Sequence, residues 1–258
     1  MALDIKSPRD LGQMRAAGAL LWHVLEQTVR CVRPGVTTAQ IAAQFQHRLA
    51  ESRAEAVMIS SGFPAALSVC VNEEVSHGVP GSRILREGDV VTVDAGLRLD
   101  GWCADLARCA VVGEHGPVSG PLVDAARNIT ERVVAEMRPD RWWSEVAAEA
   151  HKAASVLGVR VLAECRGHGI GRNLHEGPAA GFAYLSTPEG GNRTLGGQDF
   201  VLRPGLVLTV EPVVTTGRSG VRALDDGWTM VLEDRSAAAF EERTVAVTRQ
   251  GPVVLTSP

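Results

Sequence analysis

The sequence predicts an α+β fold in which two halves, about residues 1–115 and 116–258, repeat the order helix, helix, strand, strand. Each half opens with stretches of helical period and closes with apolar runs of strand length. The letters also repeat, because the "RP" at Arg33 stands 105 positions before the "RP" at Arg138, and the segments that follow align without a gap. We therefore expect halves that pack their sheets together around a site at the junction.

The composition excludes several classes of protein. The 258 residues are 45% hydrophobic and 22% charged, which is a globular composition rather than a disordered one. A formal net charge of -4 leaves no basic surplus for binding nucleic acid. The N-terminus lacks the pattern of a signal peptide or a membrane anchor, so we expect a cytoplasmic location and no membrane association. Five cysteines without a C-x-x-C pair indicate free thiols in a reducing compartment.

The first half begins with two predicted helices. Ser7 is the expected N-cap of the first, because a proline follows it and Asp10 lies in the first turn. This helix should end before the "RPG" that begins at Arg33. The second helix is expected from about Thr38, capped by Thr38 itself, to about Arg53.

The second half should repeat this order. A helix is expected from about Pro121 to Arg138, followed by another in "WWSEVAAEAH". The stretch from 177 to 199 is rich in Gly, Pro, Ser and Thr and is predicted to be a long surface loop. Strand-like runs are expected at 66–72, at 90–112, from Phe200 and from Ala239.

Two acids interrupt the apolar run at 90–112. The dipeptide Asp100-Gly101 is a strong signal for a type I′ hairpin turn, and opposed residues then have numbers that add up to 201. This register places Asp94 and Asp105 on one face as diagonal neighbours, although a one-residue bulge would move one of them to the other face. Two unpaired buried carboxylates repel each other, whereas a divalent metal allows both to stay ionised.

Other segments carry groups that a metal-dependent hydrolase would use. Taken singly, each group has an ordinary interpretation as a surface histidine or a solvent-facing strand acid. Together with the two aspartates they form a mixed oxygen and nitrogen ligand set, which is typical of hydrolytic dinuclear sites. The groups are His77 in "VNEEVSHGVPG", His168 and His175 in "GHGIGRNLHEGP", Glu211 in "TVEPVV", and Glu241 and Glu242 in "FEERT".

These motifs, in this order, resemble the type I methionine aminopeptidases of the pita-bread family. The resemblance runs from "SPRDLGQMRAAG" to "TVAVT", nearly the whole chain, and includes "DGWTMVLEDRSAAAFEERTVAVT". It implies a pita-bread (creatinase/aminopeptidase) fold, in which a central antiparallel sheet is covered by helices. It also implies a single catalytic domain over 1–258.

The resemblance further implies a site for two divalent metal ions, which could be Mn, Fe, Co or Zn. In the family the counterparts of Asp105 and Glu242 bridge both ions. Side-chain alternation alone leaves Glu241 and Glu242 both open, and a gapless comparison with the family from Asp226 onward selects Glu242. The implied ligands are Asp94, Asp105, His168, Glu211 and Glu242.

The implied activity is removal of the N-terminal methionine from nascent proteins and peptides with a small second residue. The metals would lower the pKa of a bridging water, which attacks the first peptide bond, and would polarise the scissile carbonyl. Glu211 is the implied proton shuttle, and His77 and His175 would hydrogen-bond substrate and stabilise the tetrahedral intermediate. The implied pocket for the methionine side chain consists of Phe63, Ser68, His77, Leu174 and Trp228, and His175 completes the implied substrate-binding residues.

The sequence departs from the family pattern at several positions beside these motifs. Cys103 stands two residues before Asp105 and would offer a soft sulfur ligand from the same predicted face. Leu106 and Ala107 replace small hydroxyl residues, Leu174 and Glu241 each replace an aromatic residue, and Arg243 replaces a histidine. None of these departures removes an implied ligand.

Two other functions stay open at this point. One is another pita-bread activity, such as cleavage at X-Pro bonds, although those relatives usually carry an additional N-terminal domain. The other is a non-catalytic peptide-binding module, although such modules tend to lose metal ligands. The implied partners are N-terminal peptides of nascent proteins, and the ribosome is one place where the protein would encounter them. We expect no direct nucleic-acid binding, and the family suggests a monomer.

Overall fold

The computed structural model describes residues 3–182, 184–186, 192–194 and 197–258, and it has the α+β architecture predicted above. The helices are α1 (Pro8–Val29), α2 (Thr38–Ala50), α3 (Val57–Ser60), α4 (Ser119–Glu136) and α5 (Trp143–Leu157). The strands are β1 (Glu55–Ala56), β2 (Ser68–Val71), β3 (Glu74–Ser76), β4 (Val90–Leu99), β5 (Trp102–Val111), β6 (Arg160–Val161), β7 (Arg166–Gly169), β8 (Glu176–Gly181), β9 (Tyr184–Ser186), β10 (Asn192–Thr194), β11 (Gly197–Gln198), β12 (Val207–Val210), β13 (Val214–Thr215), β14 (Val221–Ala223), β15 (Met230–Leu232), β16 (Ala238–Ala239), β17 (Arg243–Thr248) and β18 (Gly251–Val254).

The helix starts follow capping chemistry, with one correction. Ser7 caps α1 as predicted, and Asp10 completes a capping box. The predicted cap of α2 is wrong by one residue, because the hydroxyl of Thr37 accepts from the backbone N–H of Gln40 at 3.2 Å. Thr38 is instead buried, and its hydroxyl donates to the Gly81 carbonyl at 3.1 Å.

Each half of the chain supplies one main antiparallel sheet. The first sheet consists of β1, β2, β4 and β5, and the second has the order β18-β17-β12-β7-β8. Helices α1 and α2 cover the first sheet with fully buried side chains such as Leu21 and Phe45, while α4 and α5 cover the second with Ile129 and Trp143. The two sheets meet where β5 contacts β17. This junction is where the functional site was expected.

Corresponding backbone hydrogen bonds occur in the two halves. The N–H of Gly35, just before α2, donates to the Leu85 carbonyl at 2.9 Å. The N–H of Asp140, 105 residues later and just before α5, donates to the Leu202 carbonyl at 2.9 Å. These contacts support our proposal that the chain is one domain made of two related halves, with a boundary near residue 115.

The predicted long loop from 177 to 199 is wrong in part. Its beginning belongs to β8, which pairs with β7 inside the second sheet. Further along, β9, β10 and β11 form a small antiparallel sheet of their own. The remaining positions of this stretch, 183, 187–191 and 195–196, lie outside the described residues.

The hairpin of β4 and β5 has the predicted register. Asp100 and Gly101 have φ angles of 48° and 81°, which is the left-handed conformation that a type I′ turn requires at both positions. Asp94 is opposite Ala107, and Asp105 is opposite Gly96. The ladder runs without a bulge from Leu99↔Trp102 to Val90↔Val111, so both acids lie on one face.

This turn provides a stability test. Replacing Gly101 by Ala should destabilise the protein by about 1 kcal/mol or more, because an L-residue is strained at positive φ. The same change at Gly12, which is exposed in α1 where an added methyl group would meet nothing within 4 Å, should stabilise it by about 0.5–1 kcal/mol. Urea unfolding midpoints measure both changes, and equal shifts would contradict the assigned turn.

Candidate metal centre

A cavity of about 550 Å³ opens at the junction of the two sheets. Carboxylates and imidazoles from both halves of the chain line it, together with a few apolar side chains. All five predicted ligands reach this cavity, as do three of the predicted substrate residues. These eight residues are His77, Asp94, Asp105, His168, Leu174, His175, Glu211 and Glu242.

Three of the predicted ligands form a compact group. One ligand atom from each of Asp105, His168 and Glu242 lies within 4.8 Å of the other two. The Nε2 atom of His168 is 3.8 Å from Asp105 Oδ2 and 3.9 Å from Glu211 Oε1. These separations are those of groups that share a cation rather than bond to each other.

The imidazole of His168 is oriented for metal binding. Its Nδ1 lies 2.9 Å from the Gly169 carbonyl oxygen, which can only accept, so Nδ1 carries the proton. Nε2 is then left with a free lone pair that faces the carboxylates. A ligating histidine commonly donates its other ring N–H to a carbonyl in this way.

Two threonines that pair across strands hold three of the predicted ligands in place. Thr209 on β12 accepts from the His168 N–H at 2.9 Å and donates to Glu211 Oε1 at 2.8 Å. Thr244 on β17 accepts from the Asp105 N–H at 3.0 Å and donates to the Asp105 carbonyl at 2.8 Å. Thr209 and Thr244 are directly opposed in the second sheet, so the hydrogen bonds to these residues all come from one β12–β17 ladder.

The glycines around His168 allow close backbone approach. A Cβ on Gly167 would lie 2.2 Å from the Thr209 carbonyl oxygen, and a Cβ on Gly169 would lie 2.2 Å from the Gly177 carbonyl oxygen. Side chains at either position would therefore push β7 away from its neighbours β12 and β8. The pattern "GHG" therefore carries the His168 imidazole on a strand whose backbone packs tightly against both neighbouring strands.

Burial makes this cluster unfavourable as a set of free anions. Burial raises the pKa of Asp94 to about 7 and that of Glu211 to about 8. Burial and the neighbouring carboxylates raise the pKa values of Asp105 and Glu242 well above the usual range. Burial lowers the pKa of His168 to about 4. The group therefore favours uncharged side chains when no cation is bound.

A divalent cation fits this donor set. The Oε1 atom of Glu242 is buried and accepts no hydrogen bond from the described residues, which leaves an acceptor without a partner. Buried acceptors of this kind are costly unless a donor or a cation satisfies them. One imidazole nitrogen and several carboxylate oxygens suit first-row divalent ions.

Two further histidines border the cluster. The His175 ring lies 4.3 Å from the His168 ring, centroid to centroid, at an angle of 59°. Burial lowers the pKa values of both His77 and His175 below the ordinary 6.5. At neutral pH each is therefore a neutral imidazole with one N–H available to a bound molecule.

The remaining predicted substrate residues lie beside the cavity rather than in its lining. Phe63 and Trp228 pack edge to face at 5.3 Å between centroids, and both rings lie within 6.4 Å of His77. Ser68 is fully buried on β2, opposite Asp94, with its hydroxyl 3.6 Å from the Cys70 sulfur. The two rings thus form an aromatic wall next to His77, whereas Ser68 lies beside Asp94 on the neighbouring strand and outside the cavity lining.

Sequence reasoning missed part of the lining. The side chains concerned are Met58, Glu164, Cys165, Arg166 and Phe240. Cys165 and Arg166 directly precede the quoted "GHGIG" and Phe240 directly precedes the two glutamates, so proximity to a motif was the available signal. Cys103, considered above as a soft ligand, is buried outside this cavity lining and donates to the Arg172 carbonyl at 3.5 Å.

The fold and the site together define a class of protein. Carboxylates and a histidine gathered at a cavity between two antiparallel sheets are typical of hydrolases that use divalent metal ions. Residues 12–249 match the model of metallopeptidase family M24. The chain belongs to this family.

Individual relatives agree with this assignment. The methionine aminopeptidase of Escherichia coli (strain K12) is 31% identical over 259 residues, which cover 99% of this chain and 94% of that protein. Methionine aminopeptidase 1 of Bacillus subtilis (strain 168) is 32% identical over 97% of this chain and 98% of that protein. The crystal structure of the methionine aminopeptidase from Thermotoga maritima has a TM-score of 0.91 at 30% identity, with 100% of both chains covered.

More distant structures share the fold alone. The prolidase from Pyrococcus horikoshii OT3 has a TM-score of 0.73 at 18% identity, and the match covers 98% of this chain but 63% of the prolidase. The pita-bread fold implied by the motifs is therefore confirmed, as is the family.

The electrostatics of the cluster predict a pH dependence of stability. Asp94 and Glu211 titrate near 7 and 8 when folded, against 3.8 and 4.5 as ordinary values, so the folded protein holds more protons and loses stability as pH rises. The lowered pKa of His168 acts in the opposite sense, but only below its ordinary value of 6.5. The melting temperature of chelator-treated protein should therefore fall between pH 6.5 and 8.

Saturating Mn(II) should remove this fall, because the bound ion stabilises the ionised carboxylates. Circular dichroism melts at matched ionic strength measure both series. A melting temperature of the chelated protein that rises over this pH range would contradict the assignment of buried, unsatisfied carboxylates.

Proposed function

We propose that this chain is a methionyl aminopeptidase, which removes the N-terminal methionine from peptides and nascent proteins whose second residue is small. One observation carries the proposal. The chain matches methionine aminopeptidases over nearly its full length, and the residues expected to bind metal line one cavity at the sheet junction.

The proposed cofactor is a pair of divalent metal ions. Asp94, Asp105, His168, Glu211 and Glu242 would hold them. When bound, the ions supply Lewis acidity, which lowers the pKa of a water molecule and polarises a carbonyl group. Mn, Fe, Co and Zn all suit one imidazole with four carboxylates, so the donor set does not select among them.

Three side chains of the protein would then handle the substrate and the proton. Glu211 lines the cavity and accepts a hydrogen bond from Thr209 on Oε1, and its carboxylate would be the proton shuttle between the attacking water and the leaving amine. His77 and His175, as neutral imidazoles, would each donate one N–H to the substrate carbonyl region. Such donors stabilise the oxyanion that develops as water adds to the carbonyl.

The methionine side chain would occupy the apolar end of the cavity. Leu174 and Met58 line this region, and the aromatic pair Phe63 and Trp228 borders His77. A thioether is polarizable and packs well against aromatic rings. We assign Ser68 to the support of this wall rather than to direct contact, because it is fully buried.

The proposed partners follow from this activity. The substrates are N-terminal peptides of nascent proteins, which places the proposed site of action in the cytoplasm, including at the ribosome. Among the described residues, no helix has the length and apolar character needed to cross a membrane. A monomeric state, and the absence of direct nucleic-acid binding, stay predictions.

Two alternative functions can be separated from the proposal by experiment. Cleavage at X-Pro bonds is supported only by fold, because the prolidase named above is 18% identical and extends well beyond the matched region. A non-catalytic peptide-binding module is less consistent with the cavity, whose lining retains all five proposed ligands.

A reconstitution assay tests the proposal. Metal-free protein reloaded with Mn(II), Fe(II), Co(II) or Zn(II) should release free methionine from Met-Gly-x peptides, at least about 100-fold faster than from Met-Leu-x, because a bulky second residue does not fit (about 2.7 kcal/mol). X-Pro peptides should not be cleaved. Retained peptide binding without cleavage under any metal would overturn the enzymatic function.

The ligand set has its own test. Asp105→Asn keeps the size of the side chain but removes the charge of a proposed bridging ligand, so metal loading and turnover should be lost together, with kcat/KM lower by about 100-fold or more. Asp124→Asn, an exposed change on α4, is the control. Metal content and circular dichroism of the purified variants together separate loss of the ion from loss of folding, and wild-type metal content in Asp105→Asn would contradict the assigned role.

A further inference from the structure

A second charged network lies directly behind the metal centre. Glu241 is fully buried, and its Oε2 is 2.8 Å from Arg243 Nη2 and 3.4 Å from Arg108 Nη1. The backbone N–H of Cys109 donates to its Oε1 at 3.2 Å. The two arginines balance the charge of this buried carboxylate, although Oε2 accepts no hydrogen bond of good geometry from the described residues.

This network connects four elements of the fold. Arg108 on β5 also pairs with Glu26 on α1, at 3.0 Å from Nε to Oε1. Thr130 on α4 donates its hydroxyl hydrogen bond to the Glu241 carbonyl at 3.1 Å. Arg243, the first residue of β17, donates from Nη1 to the Glu242 carbonyl at 2.8 Å.

The same segments carry both of the proposed bridging ligands, Asp105 and Glu242. Glu241 immediately precedes Glu242, and the two side chains leave the chain on opposite sides, one toward the network and one toward the cavity. Cys109 and Arg108 belong to β5, the strand that carries Asp105. The Glu242 N–H donates to the Ala107 carbonyl of that strand at 3.1 Å. Contacts of Glu241 with β5 therefore determine how Glu242 sits relative to Asp105.

We propose that Glu241, held by Arg243 and Arg108, is a positioning residue that sets the separation of the Asp105 and Glu242 carboxylates and thereby the metal affinity of this protein. The inference rests on the proposed ligand set. It explains two departures from the resembled family as one unit, because the acid at 241 and the arginine at 243 form an ion pair with each other.

The physical reason is the burial of the pair. Removing the charge of Glu241 takes away the carboxylate that Arg243 and Arg108 share, and their remaining partners are the Glu242 carbonyl and the Glu26 carboxylate, so the position of the Arg243 side chain shifts. Movement of Arg243 also disturbs the Glu242 carbonyl to which it donates. Loss of a group that orients a metal ligand without binding the metal typically changes metal affinity by about 10–100-fold.

Calorimetric titration of metal-free, full-length protein with Mn(II) tests the proposal. Glu241→Gln should bind Mn(II) about 10–100-fold more weakly than the unmodified chain. Glu149→Gln on α5 removes a carboxylate with two cationic partners far from this cavity, and it should bind Mn(II) as the unmodified chain does. With saturating metal, Glu241→Gln should show a lower kcat for a Met-Gly-x peptide while KM changes less than about twofold, because the pocket is untouched.

A second, milder variant covers the case in which Glu241→Gln does not fold. Arg243→Lys keeps the charge, but an ammonium group cannot hold the Glu241 carboxylate and the Glu242 carbonyl with the same fork geometry. Weaker Mn(II) binding by about 3–10-fold is expected, and adding Glu241→Gln to it should cost less than the two single effects combined.

The outcomes separate this inference from the proposed function. A lowered melting temperature with unchanged Mn(II) affinity in both variants would mean a purely structural network and would overturn the inference, leaving the ligand set intact. Fully additive effects in the double variant would overturn it as well. Wild-type Mn(II) affinity in Asp105→Asn would overturn the ligand set and this inference with it.

Discussion

Mutual repulsion among buried carboxylates is the constraint around which this protein is organised. Four acids of the cavity have raised pKa values because they are buried, and neighbouring carboxylates raise the pKa values of Asp105, Glu211 and Glu242 further. A flexible scaffold would relieve this repulsion by moving the side chains apart or by admitting water. The β4–β5 and β12–β17 ladders, which pair without a bulge in sheets that are each covered by a pair of helices, limit that movement. A divalent cation would relieve this repulsion, so the rigid arrangement of the carboxylates favours cation binding.

The backbone around the ligands serves the same end. Thr209 and Thr244 are opposed on β12 and β17, and each hydroxyl joins a ligand to the ladder through a donated and an accepted hydrogen bond. Replacing either hydroxyl by a methyl group would leave a backbone N–H without its acceptor, and at Thr209 it would also remove the hydrogen bond to the Glu211 carboxylate. Rigid ligand support thus extends from the side chains into the sheet itself, which is the usual requirement for a preorganised metal site.

Features that neighbouring residues determine could be predicted from the sequence, whereas features that depend on contacts far away in the chain were missed. The register of β4 and β5 could be predicted because Asp100-Gly101 determines turn geometry within four residues, and side-chain alternation then determines which acids share a face. The cap of α2 was missed by one residue because Thr38 is bound by Gly81, far away in sequence. Strand β8 was missed because its partner β7 stabilises a Gly- and Pro-rich segment that lacks strand propensity of its own. Family M24 membership depended on the order of motifs, which no single spacing contains.

The residues that depart from the family pattern differ in where their side chains point and therefore in their expected effects on the site. Leu106 points away from the cavity into the apolar core of the first half, so the absence of a hydroxyl residue at this position does not change the contacts of the predicted ligands. Leu174 is different, because a methyl group placed on Gly96 would lie 3.0 Å from its Cδ1 and 3.3 Å from Asp105 Oδ1. Leu174 therefore packs on the hairpin at the pair that contains Asp105, where the pocket wall and the metal site share one surface. An aliphatic side chain at this point changes the shape of the pocket without adding charge or hydrogen bonds near the carboxylates, so its effect should be on substrate fit rather than on metal binding.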